Sequence, residues 1–147
     1  MKKFLRREEG FTLIELLVVV AVLGILAALA IPRLTGVTDK ARLAEAEQAI
    51  GSLKTAAEMY FVEKNTYKEL GKNIEDYIEL KSLPDNWEYY IKADEKTFTI
   101  TAVGTGVIAN LGARIDQDNK LETTRNVKED WKVGDIINTE NTEGTTE

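Results

Sequence analysis

The chain contains no cysteine and no histidine. Those two absences exclude disulfide cross-links, Cys/His zinc sites, Ser-His-Asp triads and Cys-His dyads, which together make up most common hydrolase constellations. Ser52 and Ser82 stand in no recognisable catalytic setting, so the sequence predicts a protein that is not an enzyme. An excess of basic charge is also missing. With 19 Lys and Arg against 25 Asp and Glu, the formal net charge is -6, which argues against a general binder of the phosphate backbone. At 147 residues there is room for one membrane helix and one modest globular domain.

What is present begins with an apolar run over residues 11–31. It is long enough to cross a hydrocarbon core as an α-helix, and its one acid is Glu15. A carboxylate inside such a run costs about 2.5–3.5 kcal/mol at the helix centre, so Glu15 requires a reason. Ahead of the run, Lys2, Lys3, Arg6 and Arg7 outnumber Glu8 and Glu9 and are expected to keep that segment in the cytoplasm, with the remainder facing outward. A conventional secretory signal has a shorter apolar core followed by a small-residue cut site and is removed with it. Here a cut before Phe11 leaves the apolar segment on the mature chain.

Gly10-Phe11-Thr12-Leu13-Ile14-Glu15 resembles the processing and methylation motif of type IV pilins and of the pseudopilins of type II secretion systems. The resemblance extends through the basic leader and Pro32, and beyond about Arg42 it is architectural. It implies cleavage between Gly10 and Phe11 by a membrane prepilin peptidase, followed by methylation of the new Phe11 amine. It also implies that Glu15 pairs with the amine of a neighbouring subunit, which would offset the penalty on a lone carboxylate in lipid. Implied partners are further copies of the chain in a helical polymer, the peptidase, an inner-membrane platform protein and an assembly ATPase. The implied location is the cytoplasmic membrane, single-pass with the N-terminus cytoplasmic, and then a surface pilus or a pseudopilus in the envelope. The missing cysteines depart from the disulfide-closed loop of many Gram-negative pilins. Alternatives are the major pseudopilin of a secretion system and a membrane-anchored binding module that never polymerises.

The expected fold is α+β, with a long N-terminal helix packed on a small antiparallel sheet. Its segments are a cleaved leader (1–10), a transmembrane or filament-core helix (11–31), an amphipathic helix entering the head (32–64), an α+β head (65–137) and a polar tail (138–147). Gly24, Pro32 and Gly36 mark a weak point where helical order can be lost, and Gly24 and Pro32 join Glu15 as assembly residues. Beyond it Leu34, Val37, Ala41, Ala44, Ala46, Ala49, Ile50, Leu53, Ala57, Tyr60 and Phe61 recur at helical spacing, with Lys54 and other charges on the opposing surface. A short helix is expected near 74–80. Strands over 87–93 and 97–103 form a hairpin about Asp94-Glu95-Lys96, and further strands are expected between Val107 and Ile115 and between Trp131 and Ile137.

Three other patterns invite chemistry. Gly104-Thr105-Gly106 with Gly112 has neither the P-loop nor the dinucleotide spacing and reads as turns. The stretch from Asp116 through Asp118 to Glu122 has oxygen ligands for calcium, with Asp116 and Asp118 as the candidates. Lys120 and Leu121 occupy places where an EF-hand needs an oxygen ligand and a glycine, so a solvated acidic loop is the competing reading and no cofactor is assigned. Tyr60, Phe61, Tyr67, Trp87, Tyr89, Tyr90, Phe98 and Trp131 read as core aromatics rather than stacking platforms. Without a basic groove no nucleic-acid partner is expected.

Overall fold

The computed structural model describes residues 11–137; the expected leader, including Gly10, and the tail 138–147 lie outside the described residues. The chain divides into two compact units, one ending at Thr38 and the other beginning at Asp39. That boundary falls within the amphipathic segment 32–64.

Helix α1, Leu13–Lys64, is helical at every residue, Gly24, Pro32 and Gly36 included. In the single chain the expected weak point is thus helical; loss of order there is expected only when subunits pack. Proline removes one donor from the ladder, and a helix rich in Ala, Leu and Val retains the remaining bonds.

In the second unit the buried stripe of α1 is Leu43, Ala46, Ala49, Ile50, Leu53, Ala56, Ala57 and Tyr60. The spacing of three and four residues is that of a helix face laid on a sheet. Val37, Ala41 and Ala44, expected on the inward stripe, are exposed, and Leu43 turns inward instead. Alanine is so frequent on both sides that composition sets the helix but hardly its rotation, which the sheet decides. Lys54 also departs from expectation. It is buried, its stem lying in the core and its ammonium paired with Glu58 one turn on, so that the apolar methylenes are covered while the charge keeps a partner.

After α1 the chain turns at Asn65, with φ of 56°, and enters α2, Leu70–Asn73, followed by 3-10 turns at Ile74–Asp76 and Leu80–Ser82. The helix expected near 74–80 is thus broken into short turns. Leu70 and Ile74 anchor it by full burial.

Five strands follow: β1 Trp87–Ala93, β2 Phe98–Gly104, β3 Gly112–Asp116, β4 Leu121–Thr124 and β5 Asp135–Ile137. They form one antiparallel sheet in the order β4-β3-β2-β1-β5. The β1–β2 hairpin is as expected, with Ala93 opposite Phe98 and the turn closed by Asp94 N–H donating to Thr97 O at 2.8 Å. Trp87, Tyr89 and Ile91 alternate toward the core, where they meet Ile100, Ala102, Ala113 and Ile137 across the ladders and in the common core. The strand expected between Val107 and Ile115 is β3. The one expected between Trp131 and Ile137 is confined to its last three residues, because Glu129–Trp131 forms a 3-10 turn.

Strand β4 was not expected. Leu-Glu-Thr-Thr carries little apolar alternation, and as an edge strand it needs little. Because β4 and β5 occupy opposite edges, the connection 125–134 must cross the sheet, a span of four strand spacings or about 19 Å. It crosses the face away from α1. Val127 and Trp131 press on Gly112, and the Arg114 guanidinium lies 4.6 Å from the centre of the Trp131 ring. At Gly134, with φ of +123°, a Cβ would stand 2.3 Å from Ile91 O, so glycine permits both the turn and the close return to β1.

Candidate processing and assembly site

The expected processing and assembly residues lie at the start of α1. Thr12 immediately precedes the helix and Glu15 is its third residue, a Thr-x-x-Glu capping box. The Thr12 backbone N–H and hydroxyl both donate to Glu15 Oε2, at 2.9 and 2.7 Å, and the Glu15 N–H donates to Thr12 Oγ1 at 3.3 Å. Two backbone donors that a helix start leaves unpaired are thereby engaged, and the carboxylate acquires local partners inside an apolar segment. The signal was legible: Thr three residues before Glu, ahead of an apolar run, is a helix-start signature that the membrane reading passed over.

From Phe11 to Ile31 every large apolar side chain is between 48% and 82% exposed. This helix is long and apolar enough to cross a membrane, and none of its apolar window is buried within the chain. A hydrophobic surface of that extent requires lipid or other helices around it. Gly24 is within it, and nothing in the single chain approaches the place a Cβ would occupy there. Phe11, Thr12 and Glu15 are therefore brought together at one helix end. Gly24 and Pro32 lie farther along α1, and Gly10 lies outside the described residues.

The calcium candidates fall on the β3–β4 connection. Asp116 closes β3, and its Oδ1 accepts from the backbone N–H groups of Asp118 and Lys120, each at 2.9 Å. Asp118 Oδ2 accepts from Gln117 Nε2 at 2.9 Å, and Asn119 takes the left-handed conformation at φ of 62°. Glu122 belongs to β4, where it accepts from Arg114 and pairs with Lys120. Arg114 first, and Lys120 after it, hold the Glu122 carboxyl below the ordinary carboxylate range. This is the chemistry of a tight hairpin turn, with Asp118 exposed in the loop that joins β3 to β4. Among the described residues no group of three or more Asp or Glu is gathered as metal ligands.

The aromatics divide as expected for a core, with Trp87, Tyr89 and Phe98 almost fully buried. Phe61 stacks on Tyr67 at 4.6 Å, and Tyr67 meets Phe98 edge-on at 4.7 Å. Trp131 lies outside that core, half-buried on the outer face of the sheet beneath Arg114. On that same face the Tyr90 hydroxyl donates to Glu88 Oε2 at 2.8 Å, and partial burial together with that bond pushes its pKa up to about 12. Gly104 and Gly112 end β2 and begin β3 rather than forming turns, and Gly106, with φ of +54°, supplies the turn itself.

An uncovered, membrane-length first half of a helix and a sheet laid on its second half are the features that the comparisons with known proteins share. Residues 5–31 match the family model of the prokaryotic N-terminal methylation motif, and residues 32–112 match that described as type IV minor pilin ComP, DNA uptake sequence receptor; the chain belongs to the type IV pilin family. It is 35% identical over 91 residues to the type II secretion system core protein G of Escherichia coli K12, covering 58% of this chain and 63% of that protein. It is 40% identical over 74 residues to the type IV major pilin protein PilA of Myxococcus xanthus, covering 50% and 34% respectively. A fimbrial protein of Pseudomonas aeruginosa is 46% identical over 59 residues, covering 40% of this chain and 38% of the relative. The chain thus spans less than two-thirds of the length of these relatives. No solved structure matches significantly.

Proposed function

We propose that the chain is a structural subunit of a type IV pilus-like filament, cut by a prepilin peptidase between Gly10 and Phe11, methylated on Phe11, and assembled through the helix that begins at Leu13. The observation that carries this reading is the fully uncovered apolar surface of residues 11–31 with Glu15 at its start. Before assembly that surface is solvated by lipid, with the N-terminus cytoplasmic and the head outside. In the filament the lipid is replaced by neighbouring helices. Since lipid is itself apolar, the exchange gains little from hydrophobicity, and close packing with charge pairing must supply specificity.

Glu15 is the residue positioned to provide that pairing. In the single chain its carboxylate is held by Thr12, and in the polymer the Phe11 amine of a neighbour is the stronger, cationic partner. Glu15→Ala is expected to be cut normally but to enter sheared filaments poorly. Filaments at the unaltered chain's yield would overturn the pairing role, and an intact Met1 start with unmethylated Phe11 in the membrane-derived protein would overturn the processing.

The type II secretion relatives favour a second reading, the major subunit of a pseudopilus that serves protein export. Long surface filaments that disappear with deletion of the gene support the pilus. Loss of export without loss of surface filaments supports the pseudopilus. Neither reading carries DNA binding to this chain, because residues 39–137 hold 14 basic against 19 acidic side chains, a net of -5. A chain confined to the membrane and absent from every filament would instead favour an anchored binding module.

A further inference from the structure

On the face of the sheet away from α1, strands β2, β3 and β4 enclose a hollow of about 200 Å³ that assembly leaves without a role. It is lined by Thr99, Arg114, Ile115, Asp116, Lys120 and Glu122. The register explains how they meet. Thr99 stands opposite Asp116, Arg114 stands opposite Glu122, and Lys120 lies two residues before Glu122, so their side chains share one face. Thr99 falls between the buried Phe98 and Ile100, and alternation turns its hydroxyl outward.

Most of the charge in the hollow is already answered. Arg114 Nε donates to Glu122 Oε2 at 2.7 Å, Nη2 donates to the same oxygen, and Lys120 Nζ lies 3.1 Å from Oε1. Asp116 Oδ1 accepts from the Asp118 and Lys120 N–H groups. What remains is a specific set. The Thr99 hydroxyl, Asp116 Oδ2, Arg114 Nη1 and the other N–H groups of Lys120 have no hydrogen-bond partner among the described residues.

This set selects a ligand class. Two cations and two carboxylates line the hollow, and Lys92, opposite Thr99, and Asp118, in the turn, add one of each beside it. A free anion would meet the Asp116 carboxylate, and a free cation would meet Arg114 and Lys120. A zwitterion would give up the hydration of two full charges to reach partners whose own charge is already compensated. Neutral hydroxyl groups avoid each penalty, because a hydroxyl both donates and accepts. At about 30 Å³ per water the volume equals six or seven waters, which is room for one ring.

We propose that this hollow binds a neutral polyhydroxyl ring, a single sugar unit. Its hydroxyls donate to Asp116 Oδ2 and accept from Arg114 Nη1, Lys120 Nζ and the Thr99 hydroxyl. Bound in this way it displaces water without separating either ion pair of Glu122. The site is confined to the head and does not depend on assembly. One small ring between partly exposed walls implies a dissociation constant on the order of 1 mM.

The test is a titration of the full-length chain in phosphatidylcholine nanodiscs, read by saturation-transfer NMR. Methyl glycosides of glucose, galactose and mannose, then glycine and methyl phosphate, are each added through about 10 mM. At least one glycoside is expected to bind. Asp116→Asn keeps an oxygen for the two backbone donors but puts an amide N–H where the free oxygen stood, and is expected to weaken that glycoside about tenfold. Thr99→Val removes the hydroxyl alone and is expected to weaken it about threefold. Thr123→Val, opposite Ala113 on the other face of the sheet, leaves binding unchanged. No binding of any glycoside, binding that neither Asp116→Asn nor Thr99→Val weakens, or tighter binding of glycine or methyl phosphate overturns the proposal. None of these outcomes touches the filament reading, which is tested by incorporation.

Discussion

Gly112 is the place where the crossing segment and the sheet come closest, and replacing it with alanine tests whether that segment is clamped or merely adjacent. A Cβ at Gly112 would stand 2.8 Å from Val127 Cγ2 and 3.1 Å from Trp131 Cε3. Carbon atoms prefer about 3.5–4.0 Å, so the segment must retreat by up to about 1 Å or the strand must shift. Overpacking of this kind costs about 1–3 kcal/mol. Release of the segment sets a ceiling, since it gives up an Arg114–Trp131 contact of about 0.5–1 kcal/mol and roughly 1 kcal/mol from the half-burial of Trp131. Gly112→Ala is therefore expected to destabilise the head by about 1–2 kcal/mol, read from urea unfolding of the full chain in detergent and followed by tryptophan emission. The decisive comparison is the double-mutant cycle in which Val127→Ala and Trp131→Ala are made together as one partner. With both side chains truncated, most of the alanine's penalty should vanish, giving a coupling of at least about 0.5 kcal/mol. An equal cost in both backgrounds would refute the clamp and place the strain within the sheet.

Alkaline stability should be governed in part by Tyr90. Its pKa is raised on folding from the ordinary 10.0 to about 12 by burial and by Glu88, so the unfolded chain loses that proton first. The contribution is full below pH 10 and is lost as pH rises toward 12, and Tyr90→Phe should flatten the decline over that window in a pH series of melting temperatures. Tyr89, whose pKa is also raised by burial, leaves a residual slope in that variant. Calcium titration should leave the melting temperature unchanged, because Asp116 Oδ1 is already taken by two backbone donors; a stabilisation that saturates with calcium would show that the hairpin opens to bind the ion.

Residues 11–31 spelled out a membrane-length helix because an unbroken apolar run with one acid has few other solutions, and Gly10-Phe11 ahead of it narrowed the family. The β1–β2 hairpin was legible for a similar reason, since alternation around Asp94-Glu95-Lys96 is a local pattern. The Thr12–Glu15 box was equally local and simply unread. What escaped depended on partners distant in sequence. The rotation of α1 that buries Leu43 and exposes Ala44 is set by the sheet, since alanine lies on both sides. Lys54 reads as a surface charge until its stem is enclosed and Glu58 receives its head.

The polar strand Leu121–Thr124 has no apolar alternation to announce it and exists because β3 offers an edge. Once it pairs there, β5 must lie on the far side of β1, and the ten residues between them are forced across the outer face. Glycine at 112 then acquires its reason, as the gap into which Val127 and Trp131 fit. Sequence alone determined the anchor, its acid and the helix-plus-sheet class, because hydrophobic length and local periodicity act through neighbours along the chain. Tertiary structure decided which face is core, where the edges lie and what crosses the sheet, because those follow from contacts between residues that the sequence holds far apart.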